Sequence, residues 1–449
     1  MSARATPGTV PLVSLRPGAD VLSYGGGRIV TVAGFLADVA ALAEQLPRRA
    51  HIVNLCADRY RFTVTFGAAL VRGQTNLLPP QRTPDFLARL ADAYPGLYCL
   101  ADEDVAWCPL EAVRYPRDLC PAAGGGAPPA IPDDHVAAIA FTSGTTGEPT
   151  PHMKRWGPLA RGALAEARAL GLDRTPGATL VGTVPAQHMY GFESTVLLAL
   201  QNRLAMHAAR PFYAGDIGAA LAGVPPPRVL VTTPVHLRAL EIDGGKLPPL
   251  ALIVSATAPL GEDAAAQAEA RHGAAVHEIY GFTEAGMVAA RRTTEGEAWR
   301  LLPGVRLRRD GGDWWAEDGH VPTPARFADL IDVLDDERFV LRGRGADLIN
   351  VAGKRASLAA LNSHLLAIPG VVDGAFYLPG EDRGKVARLA AFVVAPGLSR
   401  RRVLAALRER VDSVFLPRPV HFVERLPRNA TGKLPLESLR SLAREQSKR

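Results

Sequence analysis

Apolar positions change their period from segment to segment along the chain, and the changes outline layered α and β elements. Phe35, Leu36, Val39, Leu42, Ala43 and Leu46 recur at helical spacing, and Pro47 ends the run. HIVNLC at 51–56 then reads as a strand, and Phe62 to Val71 as a second apolar segment. The alternation returns with VLVTTP at 229–234, LALIVSAT at 250–257 and AVHEIYG at 275–281. Strands alternating with helical stretches predict α/β layers with largely parallel sheets. PAAGGGAPPAIP at 121–132 is Pro/Gly-rich and reads as an internal loop rather than a domain linker. Beyond Gly343 come a helix-like SLAALNSHLLA, strand-like VVDGAFYL and ARLAAFVVA, and a helical stretch over 400–411. That is enough for a compact α+β unit of about 100 residues. The expected division is a large N-terminal α/β domain over 1–343 and a small C-terminal domain over 344–449.

Composition narrows the class without deciding it. Hydrophobic residues make up 47% and charged residues 21% of the 449, as in a globular protein with substantial cores. No apolar run approaches the ~18 residues of a membrane span, and the N-terminus lacks a signal-peptide pattern, so a cytoplasmic location with no membrane partner is expected. Cys56, Cys99, Cys108 and Cys120 show neither Cys-x-x-Cys spacing nor a histidine pattern, which favours reduced thiols over a disulfide or zinc site. Charge is uneven. Residues 344–449 carry 19 basic and 9 acidic side chains, a balance of +10, against 32 basic and 36 acidic over 1–343. A basic C-terminal piece favours an acidic or polyanionic partner, though no zinc-finger or aromatic pattern supports nucleic acid.

Four motifs carry the chemistry. FTSGTTGEP at 141–149 follows an apolar strand-like run. The hydroxyls of Ser143, Thr145 and Thr146, with the close backbone approach that Gly144 and Gly147 permit, suit a phosphate-holding loop. It is not a Walker A loop, which requires Gly-Lys-Ser/Thr. Then follow YGFTEAG at 280–286, GRGADLINVAGKR at 343–355 and LPRNATGK at 426–433. A lone Ser/Thr/Gly loop is usually an ordinary turn, but four such motifs in this order are not accidental.

Over roughly residues 28–440 the set resembles the adenylate-forming superfamily of acyl- and aryl-CoA synthetases, luciferases and peptide-synthetase adenylation domains. The resemblance implies ATP- and Mg²⁺-dependent conversion of a carboxylic acid to an acyl-AMP, and a C-terminal domain that is mobile. Two anionic reactants must meet, so such a site needs cations and oriented donors. By resemblance, Thr142, Ser143, Gly144, Thr145, Thr146 and Gly147 hold the β- and γ-phosphates. Tyr280 packs on adenine beside Gly281, Thr283 bonds phosphate, and Glu284 helps hold Mg²⁺. Asp329, fourteen residues before Gly343, clamps the ribose hydroxyls, and Arg344 adds a nucleotide contact. Lys433 reaches both the attacking carboxylate and the α-phosphate, a task suited to a long, flexible point charge. PAQHMYG at 185–191 resembles the segment beside the acid pocket, with His188 lining the carboxylate channel and Tyr190, Gly191, Phe192, Gly281 and Phe282 shaping it. Ala256 and Thr257 stand where the family commonly has Gly, which narrows the pocket toward a small or flat acid such as a hydroxybenzoate.

The second half-reaction passes the acyl group to a thiol of coenzyme A or of a carrier protein's phosphopantetheine. In the family the small domain then rotates to present the segment containing Gly353, Lys354 and Arg355. Arg400, Arg401 and Arg402 at a helix start capped by Ser399 would suit an acidic acyl carrier protein, because cations there oppose the helix dipole. Some positions depart from the family. Thr150 replaces a common Lys, for which Lys154 or Arg155 is the candidate substitute, Ala346 replaces the hinge Asp or Lys, and the acidic residues usual around 359–362 are missing. Glu284, Asp329 and Lys433 remain. A short- or medium-chain fatty acyl-CoA synthetase, or a nucleotide-binding regulatory homologue, are the competing readings.

Overall fold

The computed structural model describes residues 8–14, 16–117, 119, 126–143, 149–344, 348–351, 354–379, 389–429 and 432–446. Within them, the apolar strand segments assemble into two main sheets. In the smaller, His51–Asn54 lies between Thr75–Leu78 and Tyr98–Ala101, flanked by Val136–Ser143 and Glu111–Arg114, all parallel. Pro149–Arg155 adds an antiparallel edge strand to Val136–Ser143. In the larger, eleven-stranded sheet, Val21–Gly25, Ala205–His207, Thr179–Gly182, Arg228–Thr232, Leu252–Ser255 and Val276–Phe282 form a parallel row. Antiparallel strands continue it on both sides, Arg28–Thr31 at one end and Gly286–Arg292 through Asp329–Val333 at the other.

The parallel strands read as continuous apolar runs because helices cover them. Leu252–Ser255 and Thr179–Gly182 are wholly buried. The helix Val32–Gln45 starts at Thr31, whose hydroxyl accepts from Gly34 N, and buries Phe35, Leu36, Val39, Leu42 and Ala43 as its spacing predicts. The apolar segment after HIVNLC is the helix Arg59–Val71, capped by Asp58. The carboxyl ends of both parallel rows carry the loops where chemistry is expected in such sheets.

Past the large sheet, Leu348–Val351 and Lys354–Ser357 form a hairpin. Asp373–Tyr377, Ala390–Val394 and Val420–Phe422 form a three-stranded sheet packed by helices Leu358–Leu366 and Arg400–Arg408. The Ser399 cap is present, but Arg400 donates to Val420 O at 2.7 Å. One of the three arginines therefore serves the fold, which weakens the argument that the cluster has no folding use.

One buried cation organises the floor of the large region. Arg59 is 1% exposed, and its guanidinium donates to Thr195 Oγ1 (2.7 Å), Gly182 O (2.8 Å) and Val184 O (3.1 Å). It ties the end of Thr179–Gly182 to the helical stretch that follows it. A Cβ at Gly182 would lie 2.8 Å from this guanidinium. Gly182→Ala should therefore displace Arg59 and cost about 1–3 kcal/mol, read as a lowered denaturation midpoint. An unchanged midpoint would show that the Arg59 contacts are dispensable.

Candidate active site

The YGFTEAG motif is built by one strand turning back on itself. Val276–Phe282 pairs antiparallel with Gly286–Arg292 through a tight turn, and a Cβ at Gly281 would collide with the Gly286 carbonyl oxygen. Just before the turn, the Tyr280 ring stacks on Phe327 (centroids 6.0 Å, interplanar 13°) and meets Trp299 and Phe339 edge-on. Its hydroxyl donates to Asp329 Oδ2 at 2.7 Å. Asp329 stands directly opposite Arg344 in the antiparallel ladder. The fold thus gathers Tyr280, Asp329 and the backbone of Arg344 from separate motifs.

The turn bearing Thr283 and Glu284 is fixed from behind by a buried lysine. Lys154 is 8% exposed, and its Nζ donates to the Glu284 carbonyl at 2.9 Å. Burial pulls its pKa down, while the charges of Glu193 and Glu284 oppose the shift. Burial pushes the Glu193 carboxyl up to about 7, against the pull of Lys154 and the Met287 N–H. Gly286, at φ +87°, leaves just enough room, since a Cβ there would sit 2.7 Å from Glu193 Oε1. Lys154 therefore does not replace the absent lysine at Thr150 by facing phosphate; it braces the Glu284 turn. Glu193 and His152 went unnoticed in the sequence. His152 Nε2 lies 2.9 Å from Thr142 Oγ1 and 3.8 Å from Glu284 Oε1, linking the end of the phosphate-loop strand to the turn.

His188 stands at the head of the helical run Met189–Gln201. It caps the short turn Met189–Gly191, and a Cβ at Gly191 would overlap the Pro185 carbonyl oxygen. Burial, with the cation of Lys433 nearby, holds the imidazole down to about 3, so it is neutral at working pH. Lys433 comes from the far end of the chain. Asn429 Oδ1 accepts from its N–H, and Arg428 clamps the same turn by pairing with Asp373 (2.7 Å) and donating to Gly432 O. A Cβ at Gly432 would lie 3.3 Å from Val235 Cγ2, so this turn packs on the start of helix Pro234–Asp243.

Tyr190 donates to both Thr232 O and Val254 O at 3.0 Å, at the carboxyl ends of two central strands. Ala256, just beyond, is buried, and Thr257 has φ +81°. A β-branched residue in the left-handed region is strained by roughly 1–2 kcal/mol, so the bulkier residue is held there against a local cost. Phe192 is fully buried against Phe66 (5.0 Å) and Phe62 (6.3 Å). The stretch Phe192–Leu197 is a π-helix, whose wider turn rotates side chains from their expected face.

Gly144, Thr145, Thr146, Gly147 and Gly353 lie outside the described residues, and of Ser143, Arg344, Lys354 and Arg355 only the backbone is described. No group of three metal-binding side chains occurs among the described residues. The single half-exposed carboxylate of Glu284 beside Thr283 fits Mg²⁺ all the same, because that ion takes one or two carboxylates and otherwise water and phosphate oxygens. Nor, among the described residues, is any helix long and apolar enough to cross a membrane.

Residues 45–338 match the family described as AMP-binding enzyme, and 361–433 that described as AMP-binding enzyme C-terminal domain. A 4-coumarate–CoA ligase of Rhodobacter capsulatus is 34% identical over 300 residues, 66% of this chain and 74% of that one. A 4-coumarate–CoA ligase of Halorhodospira halophila is 32% identical over 317 residues, 67% and 75% of the two chains. Among solved structures, o-succinylbenzoate CoA synthetase from Bacillus subtilis in complex with its acyl-adenylate superposes with a TM-score of 0.78 at 18% identity, covering 94% of this chain and 95% of that one.

The buried Glu193 carboxyl behind the Glu284 turn has a pH signature. The Glu193 pKa in the fold, about 7, lies above its ordinary value of 4.5, so folding favours the protonated form. Its contribution is complete below pH 4.5 and is lost as pH rises through 7. Glu193→Gln should therefore flatten the decline in stability between pH 4.5 and 7 by on the order of 3 kcal/mol, measured by denaturant titration across that range. Glu166, pushed up to about 8, acts in the same sense, so part of the slope will remain. An unaltered slope in Glu193→Gln would contradict the placement of Glu193.

Proposed function

The chain belongs to the AMP-binding enzyme family and is an AMP-forming acid–thiol ligase, and from this premise we propose what its individual residues do and which acid it takes. The observation that carries this reading is the packing of the Lys433 turn, through Gly432, on Val235, with the Lys433 charge felt at His188. It brings a cation from the C-terminal region to the entrance where Tyr190, Ala256 and Thr257 converge.

In this reading Tyr280 supports the adenine, and Asp329, already accepting from the Tyr280 hydroxyl, uses its remaining lone pairs for the ribose. Thr142 and the loop after it receive the β- and γ-phosphates. Glu284 holds Mg²⁺, which offsets the phosphate charge when bound. Neutral His188 borders the carboxylate channel without repelling Lys433. Lys433 bridges the acid carboxylate and the α-phosphate, lowering the repulsion between them as the carboxylate oxygen attacks and pyrophosphate leaves. Gly353, Lys354 and Arg355 then serve the thiol step.

The acid is a small aromatic one, a hydroxybenzoate or its vinylogue. The narrowing at Ala256 and Thr257 supports this, as do the 4-coumarate ligases among the relatives. The acceptor is a pantetheine thiol, coenzyme A being the one in those relatives' names. Arg401 and Arg402, both exposed, favour a second reading in which an acidic carrier protein presents that thiol.

Lys433→Ala should lower acid-dependent ATP–pyrophosphate exchange by about 10²–10³. Thioester formation from supplied acyl-AMP should stay within a few-fold of wild type, because Lys433 acts only on the first step. Equal losses in both half-reactions from a folded variant would remove Lys433 from its role.

A further inference from the structure

Two cysteines meet in the smaller sheet, and the adenylation chemistry uses neither. Cys99 is fully buried in strand Tyr98–Ala101, while Cys108 is half-buried in the irregular segment that leads to Glu111–Arg114. Their Sγ atoms are 3.6 Å apart, in S–H···S contact. A disulfide needs about 2.0 Å, so roughly 1.5 Å of closure separates the two states. Cys99 is poorly placed to supply that movement, because its strand is paired on both sides, with His51–Asn54 and with Glu111–Arg114. The shift therefore falls on the segment from Asp102 to Cys108, which is neither helix nor strand.

The two thiols differ as an attacking and a resolving cysteine must. The thiolate is the form that attacks an oxidant, and it must be reached from solvent. Burial, reinforced by the neighbouring Cys108, pushes the Cys99 thiol up to about 12, so it stays protonated at neutral pH. Cys108 is the one open to solvent, beside the exposed Trp107. Cys56 is a natural control: burial holds its thiol well above the ordinary range, and its sulfur contacts Thr65 Oγ1.

The segment between the two cysteines also supports the chain before helix Arg59–Val71. Leu55 N donates to Leu100 O at 2.8 Å, and the Asp102 carboxylate accepts from Ala57 N (2.8 Å) and Asp58 N (3.0 Å). Asp58 caps the helix, and Arg59, which holds the Gly182 and Val184 carbonyls, follows it. Cys56 O accepts from Gln187 Nε2, one residue before His188. Drawing 102–108 toward Cys99 thus pulls on the contacts that seat residues 56–58 against Gln187.

We propose that Cys99 and Cys108 are a reversible redox modification site, closed to a disulfide by a hydroperoxide, and that closure loosens residues 56–58 beside Gln187 and His188. The Cys108 thiolate attacks a peroxide oxygen, the O–O bond breaks, and water or an alcohol leaves, giving a sulfenic acid. The Cys99 sulfur then attacks the Cys108 sulfur, the S–O bond breaks, and the hydroxyl leaves with the Cys99 proton as water. The two sulfurs lose two electrons in all, and the hydroperoxide gains them. The site itself is independent of the adenylation reading, whereas its effect on activity rests on that reading.

The test treats the reduced full-length protein with hydrogen peroxide, alkylates it under denaturing conditions and cleaves it at aspartate. Cleavage at Asp102 and Asp104 separates Cys99 from Cys108, so only a disulfide keeps their peptides together. Mass spectrometry should find the two linked and dithiothreitol should release them, with Cys56 recovered as an alkylated thiol. In Cys99→Ala, Cys108 should instead run on to the sulfinic acid. Separate alkylated peptides, or Cys108 joined to Cys120, overturns the site. Acid-dependent ATP–pyrophosphate exchange should fall at least ~3-fold on oxidation, since a 1 Å displacement remote from the chemistry can cost ~10²-fold. It should return with dithiothreitol, and Cys108→Ser should be indifferent to peroxide. Unchanged exchange by the linked protein overturns the coupling to His188. A reduced protein that exchanges with no acid defeats the adenylation reading and leaves the linked peptides as evidence for the site.

Discussion

The turn that carries Lys433 packs on the start of helix Pro234–Asp243 at Val235, and the Lys433 charge adds to the burial that keeps the His188 imidazole neutral, so two regions of the chain meet at one place. Much of the nearby architecture supports it. Arg428 and Asp373 clamp the turn that carries Lys433, and Gly432 lets that turn rest on Val235. On the other side, Arg59 ties together the carbonyls of Gly182 and Val184 just before Pro185 and His188. Two anions react only where cations are already in place, and under the proposed function these positioning interactions would bring the Lys433 cation to the acid.

That rigidity is made from buried charge, an expensive material. Lys154, Glu193 and Arg59 are all withdrawn from water, and each shows its desolvation as a displaced pKa. Hydrophobic residues of equal volume could fill the same space at no electrostatic cost. They could not hold the Glu284 carbonyl or the Gly182 and Val184 carbonyls in place, because those groups need donors. The charges are thus explained by the backbone they hold: a turn that must present Thr283 and Glu284, and a loop that must present His188. The strained φ of Thr257 belongs to the same pattern, a local cost accepted at a site whose surroundings fix it.

What could be read from the sequence was whatever lies in short contiguous motifs or strict periods. The helical stripe from Phe35 to Leu46, the apolar strands and the residues Tyr280, Glu284, Asp329 and Lys433 all belong to that class. Glu193, Glu166 and Arg59 could not be read, because a charged residue in an amphipathic helix signals a solvent face unless its tertiary partners are known. Lys154 was noticed only as a stand-in for the lysine absent at Thr150; its bond to the Glu284 carbonyl depends on the side of the strand it takes, which proximity in sequence does not show. The π-helix after Gly191 shifts the register of the helix face, and that shift leaves no periodic trace. Arg400 looked free for a partner, and only the folded sheet shows its bond to Val420.

The central claim is that the carboxylate oxygen attacks the α-phosphate of ATP. Incubating the protein with Mg²⁺-ATP, a pantetheine thiol and an aromatic acid labelled with ¹⁸O in its carboxylate tests this directly. Mass spectrometry of the nucleotide should find one labelled oxygen transferred to the phosphate of AMP, with pyrophosphate unlabelled. Label in inorganic phosphate together with ADP, or in neither product, would contradict the account.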